Sequence, residues 1–172
     1  MHLAGPASWS NGTGDGNNWG SAKYWKNGKV VFTDTGNSVA YAIFIHKGDV
    51  YIAGQLFTDP KHTTAFACYW KNGVRTDLSV GAMARSIYVT DEAVYVAGTL
   101  NGQAVYWRNG ELVSLTNTAN FSIANSIYVR EPNVHVCGHQ EGHPAYWKNG
   151  ERQTIESMDL RGEINVVIVG SN

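Results

Sequence analysis

Tyr24-Trp25-Lys26-Asn27-Gly28 recurs as Tyr69-Trp70-Lys71-Asn72-Gly73, as Tyr106-Trp107-Arg108-Asn109-Gly110 and as Tyr146-Trp147-Lys148-Asn149-Gly150. Four copies, about 40 residues apart, mark a repeat protein, and a period of that size governs every local pattern inside it. Between the copies lies a second motif, AYAIFIHKGDVYIAG at 40–54, ARSIYVTDEAVYVAG at 84–98 and ANSIYVREPNVHVCG at 124–138, which aligns without gaps. Each copy has two apolar-rich runs separated by a polar link, HKGD, TDEA or REPN, which is the pattern of a β-hairpin. The Tyr-Trp run then reaches Asn-Gly, the pair best suited to the two positive φ angles of a type I′ turn, and a further run such as ELVSL at 111–115 follows. Each repeat is thus a four-strand meander, here called a (SIYV), b (VYVAG), c (AVYWR) and d (ELVSL), and such a unit is the signature of a propeller blade.

The two ends of the chain fit the same frame. His2-Leu3-Ala4-Gly5 matches the tail of strand b, and the run from Ile164 to Val169 lies at strand a spacing, with Gly162 at the place of the alanine that opens strand a elsewhere. The expectation is one all-β domain over 1–172, a β-propeller of four blades with four antiparallel strands each, closed by the C-terminal strand joining the N-terminal blade. Such an exchange removes an exposed sheet edge. The alternative passes that strand to a second copy and makes the chain half of an eight-bladed dimeric ring, so both monomer and homodimer stay open.

Composition agrees with strands and turns. Of 172 residues only 16% are charged, while Gly (19), Trp (6) and Tyr (9) are plentiful. Thirteen basic against fourteen acidic residues give a net charge of -1, which lacks the basic excess of a nucleic-acid binder. No run approaches the ~18 apolar residues of a membrane span, and MHLAGPASWSNG has neither the charged nor the apolar region of a secretory signal. Cys68 and Cys137 fall in strand-like runs, where a small apolar residue would serve equally well.

The repeat A-x-Y-W-K-N-G with S-I-Y-V and V-Y-V-A-G resembles a family of bacterial, often surface or secreted, repeat proteins that look like β-propellers, and is more loosely similar to HAF-type repeats. The resemblance covers nearly the whole chain. It implies the fold and an extracellular or cell-surface location, and it brings no catalytic residues to transfer.

The recurring tryptophans are expected between neighbouring blades; the other use of an indole, as a platform for a sugar ring, requires it exposed. Antiparallel order puts the c–d and a–b turns at one end of each blade and the b–c and d–a loops at the other. The b–c loops are read as 6–21, 55–64, 99–103 and 139–144, and variable loops on a rigid scaffold are where binding usually resides. The longest offers Trp9, Asp15, Asn17, Asn18 and Trp19, aromatic anchors among adaptable hydrogen bonders, and these are the candidate ligand-binding residues. His135, Cys137, His139 and His143 form the densest group of metal-ligand types, with His139 and His143 expected to converge across a turn; they match no known metal spacing, and no metal or other cofactor is assigned.

Phosphate loops, the G-x-S-x-G elbow, H-E-x-x-H and a recurring carboxylate pair are all missing from the sequence, so no catalytic residue is named and the chain is read as a non-enzyme. The expected function is a non-catalytic interaction module with a protein or carbohydrate ligand. A glycan-binding lectin using Trp9 and Trp19, and a structural repeat module with no ligand site, are the alternatives.

Overall fold

The computed structural model describes residues 1–7, 20–58, 64–117, 120–155 and 164–168. Among these every regular element is a strand. Residues Met1–Ala84 and Arg85–Asn172 form two compact units, the division falling inside one strand. In the first unit, β1 (His2–Ala7), β2 (Ser21–Lys26) and β3 (Lys29–Thr33) make a three-stranded sheet. β4 (Asn37–His46), β5 (Asp49–Phe57), β6 (Ala65–Lys71) and β7 (Val74–Val80) make a four-stranded one. The next sheet holds β8 (Ala82–Val89), β9 (Val94–Leu100), β10 (Gln103–Arg108) and β11 (Glu111–Ser114). The last holds β12 (Ser122–Arg130), β13 (Asn133–Gln140), β14 (His143–Lys148) and β15 (Glu151–Arg152). Sequential strands are neighbours within each sheet, which is the meander expected from the repeat, and β1 stands in the strand b position.

The Asn-Gly turns close the c–d hairpins with positive φ at both residues: 51° and 79° at Asn27-Gly28, 50° and 86° at Asn72-Gly73, 51° and 87° at Asn109-Gly110, 54° and 85° at Asn149-Gly150. Each asparagine also fastens its turn to strand b. The backbone N–H groups of Asn72, Asn109 and Asn149 donate to the carbonyls of Val50, Val94 and Val134 at 2.9, 2.9 and 2.8 Å. In return their Oδ1 atoms accept from the N–H groups of the same three valines at 2.9, 2.9 and 2.8 Å. Asn27 does the same with Met1, accepting from the terminal amine at 2.9 Å. The asparagine therefore supplies left-handed backbone and a side-chain acceptor at one position, ordering three strands.

Strand alternation puts the two aromatics of Tyr-Trp on opposite faces. In the first unit Tyr24 of β2 and Trp70 of β6 meet in one apolar cluster with Ile52, Leu56 and Cys68, and Phe32 packs on Trp70 at 6.2 Å between ring centroids. In the second unit Tyr106 and Trp147 do the same with Tyr95, Val134 and Val136. In each unit two sheets thus share one apolar cluster, to which the earlier sheet gives its tyrosine and the later its tryptophan. Trp70, Trp107 and Trp147 are fully buried, so these three indoles are not sugar platforms; Trp25 keeps part of its surface exposed.

The glycine of the V-Y-V-A-G motif has a steric reason. β4 bulges between Ala40 and Ala42, and β12 between Ala124 and Ser126. There a Cβ on Gly54 would collide with the carbonyl oxygen of Val39, and one on Gly138 with that of Ile123.

Two differences from the sequence reading stand out. The loops read as 99–103 and 139–144 are two-residue turns, Asn101-Gly102 and Glu141-Gly142, because the b and c strands stay paired to Leu100↔Gln103 and Gln140↔His143. Residues 164–168, expected as strand a, belong to no sheet among the described residues. They lie instead along β12: Val167 N–H donates to Ser126 Oγ at 3.3 Å, as Ile127 N–H donates to Ser86 Oγ at 3.2 Å. Val167 thereby takes the place of Ile127, two residues beyond the register that Gly162 as the opening residue implies.

Two outcomes follow for stability. Asn149→Gly keeps the turn geometry and loses the Oδ1 acceptor, for a cost of about 1 kcal/mol, whereas Asn149→Ala adds left-handed strain and costs about 2–3 kcal/mol in urea unfolding. Nε1 of both Trp70 and Trp147 is buried without a hydrogen-bond partner among the described residues. Trp147→Ala should cost about 3–5 kcal/mol, and Trp147→Phe only about 1–2 kcal/mol, because phenylalanine removes that unsatisfied donor while filling most of the space.

Candidate functional site

The candidate binding residues Trp9, Asp15, Asn17, Asn18 and Trp19 lie outside the described residues. The structure does place the stem that carries them. β1 and β2 stay paired to Ala7↔Ser21, so the segment leaves from the end of a closed ladder. Ser38, fully buried at the start of β4, locks that stem to the next sheet: its Oγ accepts from Ala22 N–H at 3.0 Å, and its N–H donates to the Gly20 carbonyl at 3.3 Å. Ser21 Oγ adds a bond to the Gly36 carbonyl at 3.2 Å.

The second unit repeats this joint without a long segment on it. Ser122 Oγ accepts from Ala104 N–H at 2.9 Å and exchanges a hydrogen bond with Thr116 Oγ1 at 2.7 Å, while Ser122 N–H donates to the Gly102 carbonyl at 2.8 Å. Thr99 Oγ1 completes the group by donating to the Gln103 carbonyl at 3.1 Å. Among the described residues the bonds of these buried hydroxyls run to backbone groups and to one another, which is the pattern of a joint between sheets.

A groove of about 430 Å³ opens at the same end of the last sheet, lined by His143, Pro144, Arg152, Gln153, Thr154 and Ile155. That volume is in the range of small-ligand sites. Arg152 is braced by Nη1 donation to Gln140 Oε1 at 3.1 Å. Sequence reading did not find this groove, because it depends on how the d strand ends and no motif marks it.

The four residues of the histidine-cysteine segment are separated rather than gathered. His135, Cys137 and His139 alternate onto one face of β13. His143 lies opposite Gln140 across the turn and so faces the other side, and the expected convergence of His139 with His143 fails for that reason. His135 Nδ1 shares a 2.7 Å hydrogen bond with Tyr146 Oη, the rings stacked at 6.1 Å and 6°. Cys137 Sγ points to the Ile164 carbonyl at 3.6 Å, and burial pushes its thiol up to about 12, far from a ligating thiolate. His139 packs on Phe121 at 5.5 Å. Among the described residues no three His, Cys, Asp or Glu side chains are grouped to hold a metal ion.

His135 also proves to be a repeat feature. His2 occupies the same strand b position and makes the same arrangement, Nδ1 to Tyr24 Oη at 2.7 Å with rings stacked at 5.8 Å and 13°. The other two sheets have Tyr51 and Tyr95 there, each under a cation: Lys71 Nζ lies 5.4 Å and Arg108 Cζ 5.7 Å from the ring centroid. Lys71 further pairs with Asp49 at 3.0 Å, so in these two sheets the cation of the Tyr-Trp motif is engaged within its own sheet.

No protein-family model matches the chain, and no curated protein matches it at a significant level.

Burial, helped by the nearby Lys148 charge, holds the His135 imidazole below its ordinary value. The unfolded chain then takes up the proton first. Stability from this site is complete above about pH 6.5 and is lost as pH falls below it toward the lowered folded value. His135→Tyr, which restores the residue of Tyr51 and Tyr95, should show a smaller drop in melting temperature than wild type between pH 7.5 and 5.

Proposed function

We propose that the chain is a non-catalytic binding module of β-propeller type, its four sheets the blades of one ring closed by the C-terminal strand. Its partner, a protein or a small polar molecule such as a glycan, docks at the b–c and d–a end. The observation that carries this reading is the contrast between the two ends of the sheets. The c–d connections are all two-residue Asn-Gly turns and the a–b connections are no longer than Thr90–Ala93. The connections at 8–20, 58–64, 115–121 and 153–163 all belong to the other end, and so does the groove beside His143 and Arg152. Rigid strands with only short turns at one end, and with these longer connections beside the short ones at 81, 101–102 and 141–142 at the other, are a scaffold for recognition. The resemblance to bacterial surface and secreted repeat proteins makes an extracellular setting part of the proposal.

The test is a thermal-shift screen of the full chain against a panel of mono- and oligosaccharides and small polar compounds, followed by Trp9→Ala/Trp19→Ala. A compound that raises the melting temperature of wild type, and no longer does so in a double variant whose unliganded melting temperature is unchanged, supports the loop at 8–20 as the site. Loss of the response only with a glycan would identify a lectin. A response that survives both substitutions moves the site away from this loop, and no response at millimolar concentrations favours an assembly module without a ligand site.

A further inference from the structure

We propose that the groove where β14 and the chain after β15 part binds an acidic sugar of the uronic acid class, with Arg152 and His143 reading its carboxylate. This rests on the binding reading above, to which it adds a ligand class for one place, and it uses contacts within the second unit alone.

The groove exists because one residue departs from the repeat. Pro144 stands two residues before Tyr146, where the other c strands have Ala22, Ala67 and Ala104. Those three alanines are 0% exposed, whereas Pro144 is half-buried. In the sheet of β8 to β11, Ala104 N–H donates to Thr116 Oγ1 and Ser122 Oγ at 3.2 and 2.9 Å, and the Ala104 carbonyl accepts from Leu115 N–H at 3.0 Å. The chain after β11 is thereby held against β10 as far as Ala104. Proline has no N–H to donate, so Pro144 cannot repeat this fastening. In the last sheet Gln153 N–H still donates to the Tyr146 carbonyl at 2.8 Å, but Thr154 and Ile155 continue outside the ladder. The two strand ends part there, and both line the groove of about 430 Å³.

Its chemistry is that of an acid receptor. Among the described residues the lining holds one guanidinium, one imidazole, one amide and one hydroxyl, and no carboxylate. Glu151 precedes Arg152 in β15 and so falls on the other face of the strand, across from Lys148. Glu141, in the turn before His143, does not line the groove. Two of the lining side chains are already held in place: Arg152 by Gln140, and Gln153 by Nε2 donation to the Glu151 carbonyl at 3.0 Å. Side chains ordered beforehand lose less freedom on binding. The planar guanidinium matches the two oxygens of a carboxylate through paired N–H groups. Around that charge, the Gln153 amide and the Thr154 hydroxyl suit sugar hydroxyls, and Pro144 and Ile155 offer apolar surface to the carbon face of a ring.

The experiment is titration of the full chain, followed residue by residue in heteronuclear NMR spectra, with D-glucuronate and D-galacturonate and, separately, with D-glucose and acetate. Glucose has the ring without the carboxylate, and acetate the carboxylate without the ring. Arg152→Gln and His143→Gln each remove a group that reads the charge, and Lys148→Gln removes a cation of the same sheet from outside the groove. Arg152 and His143 are exposed, and the melting temperature of each variant establishes that it is folded.

The expected result is a saturable shift of the amides around His143 and from Arg152 to Ile155 with at least one uronate at millimolar concentration, glucose and acetate each binding about tenfold more weakly or worse. Arg152→Gln should weaken uronate binding about tenfold or more, the loss of one charge-assisted pair, and His143→Gln by a smaller factor. Lys148→Gln should leave it unchanged. Acetate binding as tightly as the uronates would overturn the inference by reducing the groove to a general anion contact, and glucose binding as tightly would show that the charge is not read. Shifts that survive Arg152→Gln, that map to other residues or that are absent with both uronates would overturn it as well. The Trp9→Ala/Trp19→Ala screen alters neither Arg152 nor His143, so failure of the groove and failure of the loop at 8–20 are told apart.

Discussion

Every sheet in this protein is too small to stand alone, and the packing of the Tyr-Trp pair is what makes it part of something stable. A four-stranded meander of short strands has two faces, and alternation gives each face one large aromatic. Tyr24 and Trp70 share one apolar cluster in the first unit, and Tyr106 and Trp147 share one in the second. The asparagine clamp sets this up, since binding of the turn to strand b at both N–H and Oδ1 aligns strand b with strand c and presents the aromatic at a fixed height. Small residues around it, such as Ala22, Ala53, Ala97 and Ala145, admit the neighbouring sheet closely.

The same requirement explains which surfaces look unfinished. A sheet packed on one side only leaves its other aromatic face uncovered, and Trp25 is the one tryptophan of the repeat that keeps exposed surface. Leu3, in the same sheet, is exposed where its counterparts are buried.

Much of this was legible in the sequence because the signals are local and repeated. Asn-Gly names its turn through backbone energetics alone, and all four c–d turns adopt the expected φ signs. The strand order followed from the alternation of the two motifs. What was not legible depended on pairing between strands. Asn101-Gly102 is the same turn signal as the others, yet it was read as the core of a longer loop because strand b was ended at its glycine, when pairing runs on to Leu100. Glu141 adopts φ of 57° although glutamate carries no preference for it, and only Gly142 beside it hints at the turn. His135 stands out in the sequence as a metal-ligand type rather than a repeat position because its counterpart His2 sits in a truncated first copy. The hydroxyl joints of Ser38 and Ser122, and the groove beside Arg152, come from contacts between sheets or strand ends that no spacing encodes.

The motif residues are spent on strands, turns and sheet contacts, while the longer connections carry little of the repeat. The account stands or falls on whether the asparagine clamp orders the sheets. Amide hydrogen exchange of the full chain at Val50, Val94 and Val134, whose N–H groups the clamp holds, tests this most directly. Protection comparable with that of Ile52, Val96 and Val136 in the same strands is the predicted result; exchange at the rate of an open strand edge would contradict it.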